Sequence, residues 1–431
     1  MSPKRLASSA AFIVAIALVL RLAVLWWTWH RAAPAPPDTP FAYELGCLAK
    51  SIASGKGFSS PLPFLDTGPT AWHAPIFPYL LGGIFRLWGV YSVKSHIISQ
   101  TLNCLFSALT IFPIYGMARR SFGSPIGVCA SWLWVVLPTA WHLPLAEDNS
   151  ALAALCFALL VWTTLGLRGE RSPVKWAGYG ALWAVGALIN TALVSVLPFF
   201  MIWLAWEARK ERAPWLRPAA VAGLVFVLGL APWTIRNYCV FGRFVPVRSV
   251  LGITLWMGNN PVAVGINSFP LLPVLNMPEA EKFKQMGEIE YAHADGREAL
   301  DFMRSHPGQT LHHVLRDFGS FWFSVSDRAD ETWSTDPFYV RALLVLNGFM
   351  IVFVALGIGL AWRARNPYTI PYICVILAFP IVYYVTFSLV RFRFPMEPIL
   401  TVLAMYGAVE VLQRSYPSPA HISGDSLGPA A

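Results

Sequence analysis

Two kinds of side chain in this sequence could together move a group off a phosphate. Asp38, Glu44 and the Glu147–Asp148 pair are carboxylates, and Arg236, Arg391 and Arg393 are cations beside apolar segments. A phosphate leaving group needs cations to hold it and to balance charge as its bond breaks. Arginine suits the task because its planar fork binds phosphate through two parallel hydrogen bonds. An incoming hydroxyl needs a base for its proton, and a carboxylate can serve. His73 and Lys56 add groups able to contact phosphate, while Tyr43 and Trp72 offer aromatic faces that could line a sugar. The six Cys and nine His show neither CxxC nor zinc-ligand spacing, so neither a metal site nor a cofactor is expected.

Several of these residues fall in one stretch, Asp38 to Pro78, DTPFAYELGCLAKSIASGKGFSSPLPFLDTGPTAWHAPIFP. It is too polar to span a bilayer and too patterned to be a spacer. Phe41, Leu45, Leu48 and Ile52 recur at steps of three and four, which makes a one-sided apolar stripe. A helix of that kind lies flat at a membrane interface, and Gly55 to Gly57 ends it. Glu44 and Lys50 lie off the stripe, free to face a cavity. The apolar piece Ile76 to Val90 is short and broken by Pro78 and Gly82–Gly83, so it reads as a re-entrant or interfacial helix.

The rest of the chain must hold this stretch in place. Of 431 residues, 56% are hydrophobic and 13% charged, whereas a soluble domain carries roughly 25% charged residues. Apolar runs of about 20 residues then mean an all-α polytopic membrane protein. The 19 Trp and 34 Pro fit that class. Ten spanning helices are expected, at 10–29, 96–117, 125–142, 149–167, 173–190, 192–207, 216–234, 341–361, 369–388 and 395–412. Lys4 and Arg5 precede the first. Its length and lack of a small-residue cleavage site make it a retained signal-anchor.

With the N-terminus inside, Arg119–Arg120, Arg168 to Lys175, Arg209 to Arg212 and the Arg363–Arg365 turn all face the cytoplasm. The net charge of +9 belongs to these loops, so no nucleic-acid partner is expected. The chain divides into an anchor (1–29), a first outer loop with the active site (30–95), helices two to seven (96–234), a second outer loop (235–340), helices eight to ten (341–412) and a disordered tail (413–431). That sidedness puts the site on the non-cytoplasmic face, which is the periplasm if the membrane is a bacterial inner membrane. Cys47 and Cys239 are the cysteines placed outside the membrane on that face. They could pair or stay as separate thiols.

The segments YELGCLAKSIASGKGFSSP, GPTAWHAPIFPYLLGGIF, APWTIRNYCVFGRFVPVRS with LWMGNNP, and VRFRFPMEP resemble bacterial members of glycosyltransferase family 39. These are relatives of the dolichyl-phosphate-mannose protein mannosyltransferases and of the aminoarabinose lipid A transferase. The resemblance implies a GT-C fold, a polyprenyl-phosphate sugar donor and inverting, metal-independent transfer to a hydroxyl acceptor. It also implies a carboxylate base in the first outer loop. The family's usual acidic positions, counted back from Ala49, hold Phe41 and Ala42 here; the nearest acids are Glu44 and Asp38. Where the aminoarabinose transferases have Lys-Pro-Pro, this chain has His73-Ala74-Pro75.

Each residue also has a plainer reading. Glu44 could be a solvated helix residue, Asp38 a turn or cap, and Glu147–Asp148 partners of a helix dipole. Arg236 could snorkel to lipid headgroups. One of Arg391 and Arg393, with Arg391 favoured, is expected to reach the site. Lys56 could be a turn residue, and Tyr43 and Trp72 ordinary interfacial aromatics. Besides an enzyme, the composition admits a transporter or lipid-sugar flippase, although the charges gather at one face rather than at mid-bilayer.

Overall fold

The computed structural model describes residues 9–31, 39–263, 270–324 and 337–415, with side chains for all but 337–340. Asp38 and the tail beyond Ser415 lie outside the described residues. Among the described residues the regular structure is helical, apart from one antiparallel bridge between Ser59 and Pro69.

Among the described residues six helices are long and apolar enough to cross a membrane: Ala10–Arg31, Val93–Phe122, Thr191–Lys210, Leu216–Phe241, Arg341–Arg363 and Val390–Ser415. A bent pair, Ser124–Val136 with Pro138–Leu145, makes a seventh candidate with a 61° bend. Pro138 supplies no N–H and disfavours helical geometry at Leu137, whose ψ is 121°. The expected spans near 149–167, 173–190 and 369–388 are occupied by the shorter helices Ser150–Gly166, Pro173–Ile189 and Thr369–Ala378, the last continuing to Ile381–Val385. A 17-residue helix is only about 25 Å long, less than the roughly 30 Å hydrocarbon core. The chain is a multi-pass membrane protein in which, among the described residues, six helices, or seven with the bent pair, meet the length a full crossing needs.

Large side chains fill the bundle: Trp134, Trp183, Trp203, Phe157 and Phe200 are fully buried. Where helices touch closely, glycine permits it. A Cβ on Gly357 would sit 2.2 Å from the Leu403 carbonyl oxygen, and one on Gly407 2.3 Å from that of Phe353. The Arg341–Arg363 and Val390–Ser415 helices therefore cross backbone to backbone, the usual device of membrane bundles.

One face of the bundle carries two long segments that fold together. In the first, the Tyr43–Ala53 helix lies on the Ile76–Trp88 helix. Leu45 and Ala49 pack with Phe77, Leu81 and Phe85, and Leu48 turns toward Phe58, Ala74 and Trp233. Leu152, from the Ser150–Gly166 helix, joins the first of these clusters. The second segment forms the helices Leu251–Gly258, Met277–Met286, Glu288–Ser305 and Pro307–Phe323. Leu62 and Trp72 of the first segment share a core with Val250, Ile253, Phe283 and Tyr291 of the second. Glu288 ties the two by accepting from the Thr70 hydroxyl, from the Ala71 N–H at 2.7 Å and from Ser249 Oγ at 2.5 Å.

The expected boundary after residue 234 falls inside a helix that runs on to Phe241. Pro232 does not end it, because a spanning helix can satisfy the freed carbonyl elsewhere. Gly242, at φ 62°, ends it instead. All six cysteines are unpaired, Cys47 and Cys239 included.

Candidate active site

Glu44 stands in the first turn of the Tyr43–Ala53 helix. The chain enters that helix through two successive left-handed residues, Ala42 at φ 65° and Tyr43 at φ 43°. Neither has glycine's freedom, so each costs on the order of 1–3 kcal/mol and persists because its surroundings demand it. Phe41 supplies the demand: its ring meets Phe85 at 5.4 Å and Tyr91 at 5.6 Å and stacks on His96 at 4.4 Å. The turned-back Phe41 carbonyl lies over Gly46, where a Cβ would sit 2.0 Å from its oxygen. Gly46→Ala is therefore expected to reset this turn and displace Glu44, lowering turnover by about tenfold or more and stability by about 1–3 kcal/mol. Turnover and thermal melting measured beside Gly83→Ala, whose Cβ would meet nothing within 4 Å, check this. Equal behaviour of the two variants would refute it.

Glu44 is the first of a run of charge couplings that continues through four further side chains. Arg248 donates from Nε to the Trp72 carbonyl at 2.9 Å and feels the charge of Glu44 and the hydroxyl of Tyr383. Burial pulls its pKa below the ordinary arginine value. His73 feels both Arg248 and Arg391. Burial, then those two cations, holds its pKa well below the usual range, so the imidazole is neutral at pH 7. Its Nε2 is buried without a hydrogen-bond partner among the described residues. Asp148 accepts from the Ser150 N–H at 2.8 Å and feels Arg391. Burial raises its pKa while Arg391 opposes the rise. Taken in the order of these couplings, Glu44, Arg248, His73, Arg391 and Asp148 place a carboxylate at each end, an arginine inside each, and a neutral imidazole between the two arginines.

The pH dependence of His73 has a definite sign. The unfolded chain takes up a proton there near pH 6.5, and the folded chain does not. Acidification below about pH 6.5 therefore favours unfolding, by up to about 1.4 kcal/mol per pH unit. Melting temperature is expected to fall between pH 7.5 and 5.5, and less steeply in His73→Gln. His313, whose pKa is also lowered, mainly by burial, acts in the same direction in both proteins. Parallel slopes would refute the assignment.

The remaining expected residues go elsewhere. Arg236 gives Nη1 to the Thr70 carbonyl at 2.6 Å and to Asn237 Oδ1 at 3.0 Å, and Nη2 to the Phe58 carbonyl at 2.8 Å. Its guanidinium also lies over the Trp233 ring at 5.0 Å. It pins the first segment to the Leu216–Phe241 helix. Arg393, 3% exposed, gives Nη1 to the carbonyls of Phe321 and Trp322, both at 2.9 Å, and faces Glu397 at 3.4 Å. Arg391 forms no hydrogen bond or ion pair among the described residues. The two arginines part because the chain runs through 3-10 turns at Val390–Phe392 and Phe394–Met396. Residues two apart on such a turn diverge by about 240°. Phe392, stacked on Tyr383 at 4.8 Å, and Phe394, stacked on Trp134 at 5.7 Å, lock them.

Lys56 pairs with Asp66 at 2.9 Å on the surface, closing a loop that Ser60 and the Gly68 N–H also tie to Asp66. Trp72 is 4% exposed and belongs to the core shared by the two segments, with Phe283 at 5.6 Å. Tyr43 is exposed beside Glu44. Glu147 is occupied by His96 and by Gln100, the latter at 2.7 Å. The expected candidates did not include Arg248 and Tyr383. Nothing in spacing separates Arg248 from Arg243, which pairs with Glu290 on the surface at 3.4 Å.

Residues 72–234 match the family model for dolichyl-phosphate-mannose-protein mannosyltransferase. The fold is that of an archaeal oligosaccharyltransferase from Archaeoglobus fulgidus. Its apo form aligns at TM-score 0.57 and 14% identity, over 94% of this chain and 51% of that one. The archaeal oligosaccharyltransferase AglB from Archaeoglobus fulgidus, in complex with an inhibitory peptide and a dolichol-phosphate, aligns at TM-score 0.55 and 13% identity, over 95% and 52%. This chain spans about half the length of those it matches. A weaker likeness, TM-score 0.38 at 14% identity over 94% and 78%, is to ArnT from Cupriavidus metallidurans bound to undecaprenyl phosphate. No curated protein matches the chain by sequence.

Proposed function

We propose that this chain is a membrane glycosyltransferase that moves a sugar from a polyprenyl-phosphate donor to a hydroxyl of a lipid, glycan or protein. The observation that carries the reading is the run Glu44, Arg248, His73, Arg391, Asp148 on the loop-bearing face, two arginines flanked by two carboxylates. The oligosaccharyltransferase fold and the mannosyltransferase match over 72–234 support the same chemistry. The face is assigned to the periplasmic side of a bacterial inner membrane from the basic loops at the opposite end.

The reaction balances with these groups alone. The acceptor oxygen attacks the anomeric carbon, and its proton passes to the Glu44 carboxylate. The bond from that carbon to the phosphate oxygen breaks, and the electron pair leaves with the phosphate. A phosphodiester with one negative charge becomes a monoester with two. Arg248 and Arg391 face that growing charge, which is where fixed cations lower a barrier most. Neutral His73 donates from its ring to a phosphate oxygen, and Asp148 orients Arg391 or the acceptor.

The test supplies purified protein with a panel of radiolabelled polyprenyl-phosphate sugars and native membrane extract as acceptor. One donor is expected to be consumed by transfer, with Arg391→Gln raising the apparent KM for it about tenfold or more. Movement of donor across vesicle bilayers with no transfer product would overturn the enzyme reading in favour of a transporter.

A further inference from the structure

A charged cleft lies at the other end of the bundle. The Ser150–Gly166 helix starts two residues after Asp148 and stops two before Arg168, which puts Arg168 about 25 Å from the candidate active site. There a cleft of about 610 Å³ opens between the end of the Thr191–Lys210 span and the turn after the Arg341–Arg363 span. Its charged lining is Arg168, Lys210, Arg363 and Arg365 against Glu207 and Glu211, four cations and two carboxylates, or +2 net.

The charges are not shared evenly. Glu207 is answered by Arg168 Nε at 2.7 Å and Lys210 Nζ at 3.0 Å, and Glu211 by Arg168 Nη2 at 3.8 Å. Arg363 and Arg365 are exposed, and neither side chain has an ion pair or hydrogen bond among the described residues. The turn that presents them is anchored. Asn366 Nδ2 donates to the Ser121 carbonyl at 2.6 Å, and Arg365 itself holds a left-handed φ of 51°. Two tryptophans flank the cleft with their rings in the open: Trp206, 46% exposed with Lys210 Nζ 3.5 Å above it, and Trp362, 62% exposed. Exposed Trp at the end of an apolar span marks the headgroup layer of a membrane. Ile202, one turn deeper on the same face of its helix as Trp206, is 67% exposed.

We infer that this cleft is a binding site for the phosphate headgroup of an anionic phospholipid. Arg363 and Arg365 hold the phosphate, and the Trp206 and Trp362 rings lie along the glycerol and upper acyl region. Basic pockets between spans hold such headgroups by charge. The exposed Trp206, Trp362 and Ile202 side chains favour a lipid over a soluble phosphate.

The experiment is native mass spectrometry of the purified full chain with phosphatidylglycerol, phosphatidylcholine or soluble glycerol phosphate added. Phosphatidylglycerol is expected to bind in preference to phosphatidylcholine, and an equal concentration of glycerol phosphate is expected not to displace it. The double variant Arg363→Gln/Arg365→Gln is expected to lose at least tenfold in phosphatidylglycerol binding, while Arg363→Lys/Arg365→Lys keeps most of it. Arg243→Gln, on the opposite face, serves as the control and binds as wild type does. Equal binding of the two lipids overturns the inference without recourse to any variant. So does displacement by glycerol phosphate, or unchanged binding in the double Gln variant.

Discussion

Glu44→Gln is expected to lower glycosyl transfer by about 10²- to 10⁴-fold, the usual contribution of a positioned general base. The amide has nearly the shape of the carboxylate and cannot take the acceptor proton. The apolar face of the helix, Leu45, Leu48 and Ala49, is untouched, so membrane insertion and melting temperature should stay at wild-type values. Donor binding, measured separately with the unreacted phospho-sugar, should hold or tighten slightly, because a carboxylate no longer competes with phosphate for Arg248. Asp148→Asn is the companion variant. Full turnover in Glu44→Gln together with collapse in Asp148→Asn would transfer the base to Asp148, whose burial-raised pKa also suits proton uptake. Full turnover in both would leave Asp38 as the candidate base of the first outer loop.

Arg393→Met is expected to destabilise the folded protein by about 3–5 kcal/mol, the cost of stripping one member from a buried ion pair. The Glu397 carboxylate would keep Thr139 Oγ1 at 2.5 Å and lose its cation, and the carbonyls of Phe321 and Trp322 would each lose a charged donor. Those carbonyls close the end of the Pro307–Phe323 helix, so the second segment should loosen with them. Arg391→Met, two residues away, should melt like wild type, because no ion pair or hydrogen bond among the described residues depends on it. It should instead weaken donor binding. Thermal unfolding in detergent of both variants, with donor binding on whichever is folded, separates the roles. Equal melting of Arg393→Met and wild type would show that Glu397 finds another partner or sheds its charge at no cost.

Much of the architecture is a local property of the sequence. A bilayer demands about 20 apolar residues per crossing, so the runs beginning near Ala10, Val93, Thr191, Leu216, Arg341 and Val390 are visible as helices before any packing is known. The stripe Phe41, Leu45, Leu48, Ile52 likewise declares a flat helix with Glu44 off its apolar face, and Gly55 and Gly57, both at positive φ, mark its stop. The roles of the arginines were decided elsewhere. Arg236 and Arg393 are consumed by carbonyls at Phe58, Thr70, Phe321 and Trp322, between 71 and 178 residues away in the chain. Arg248 and Arg391 are left facing carboxylates. No spacing rule tells these pairs apart, because a backbone carbonyl is present at every residue and only the tertiary fold chooses which ones arrive. The left-handed turn at Ala42 and Tyr43 is hidden for a related reason. Neither residue favours that geometry, and it exists because distant Phe85, Tyr91 and His96 hold the Phe41 ring, with Gly46 as its one trace in the sequence.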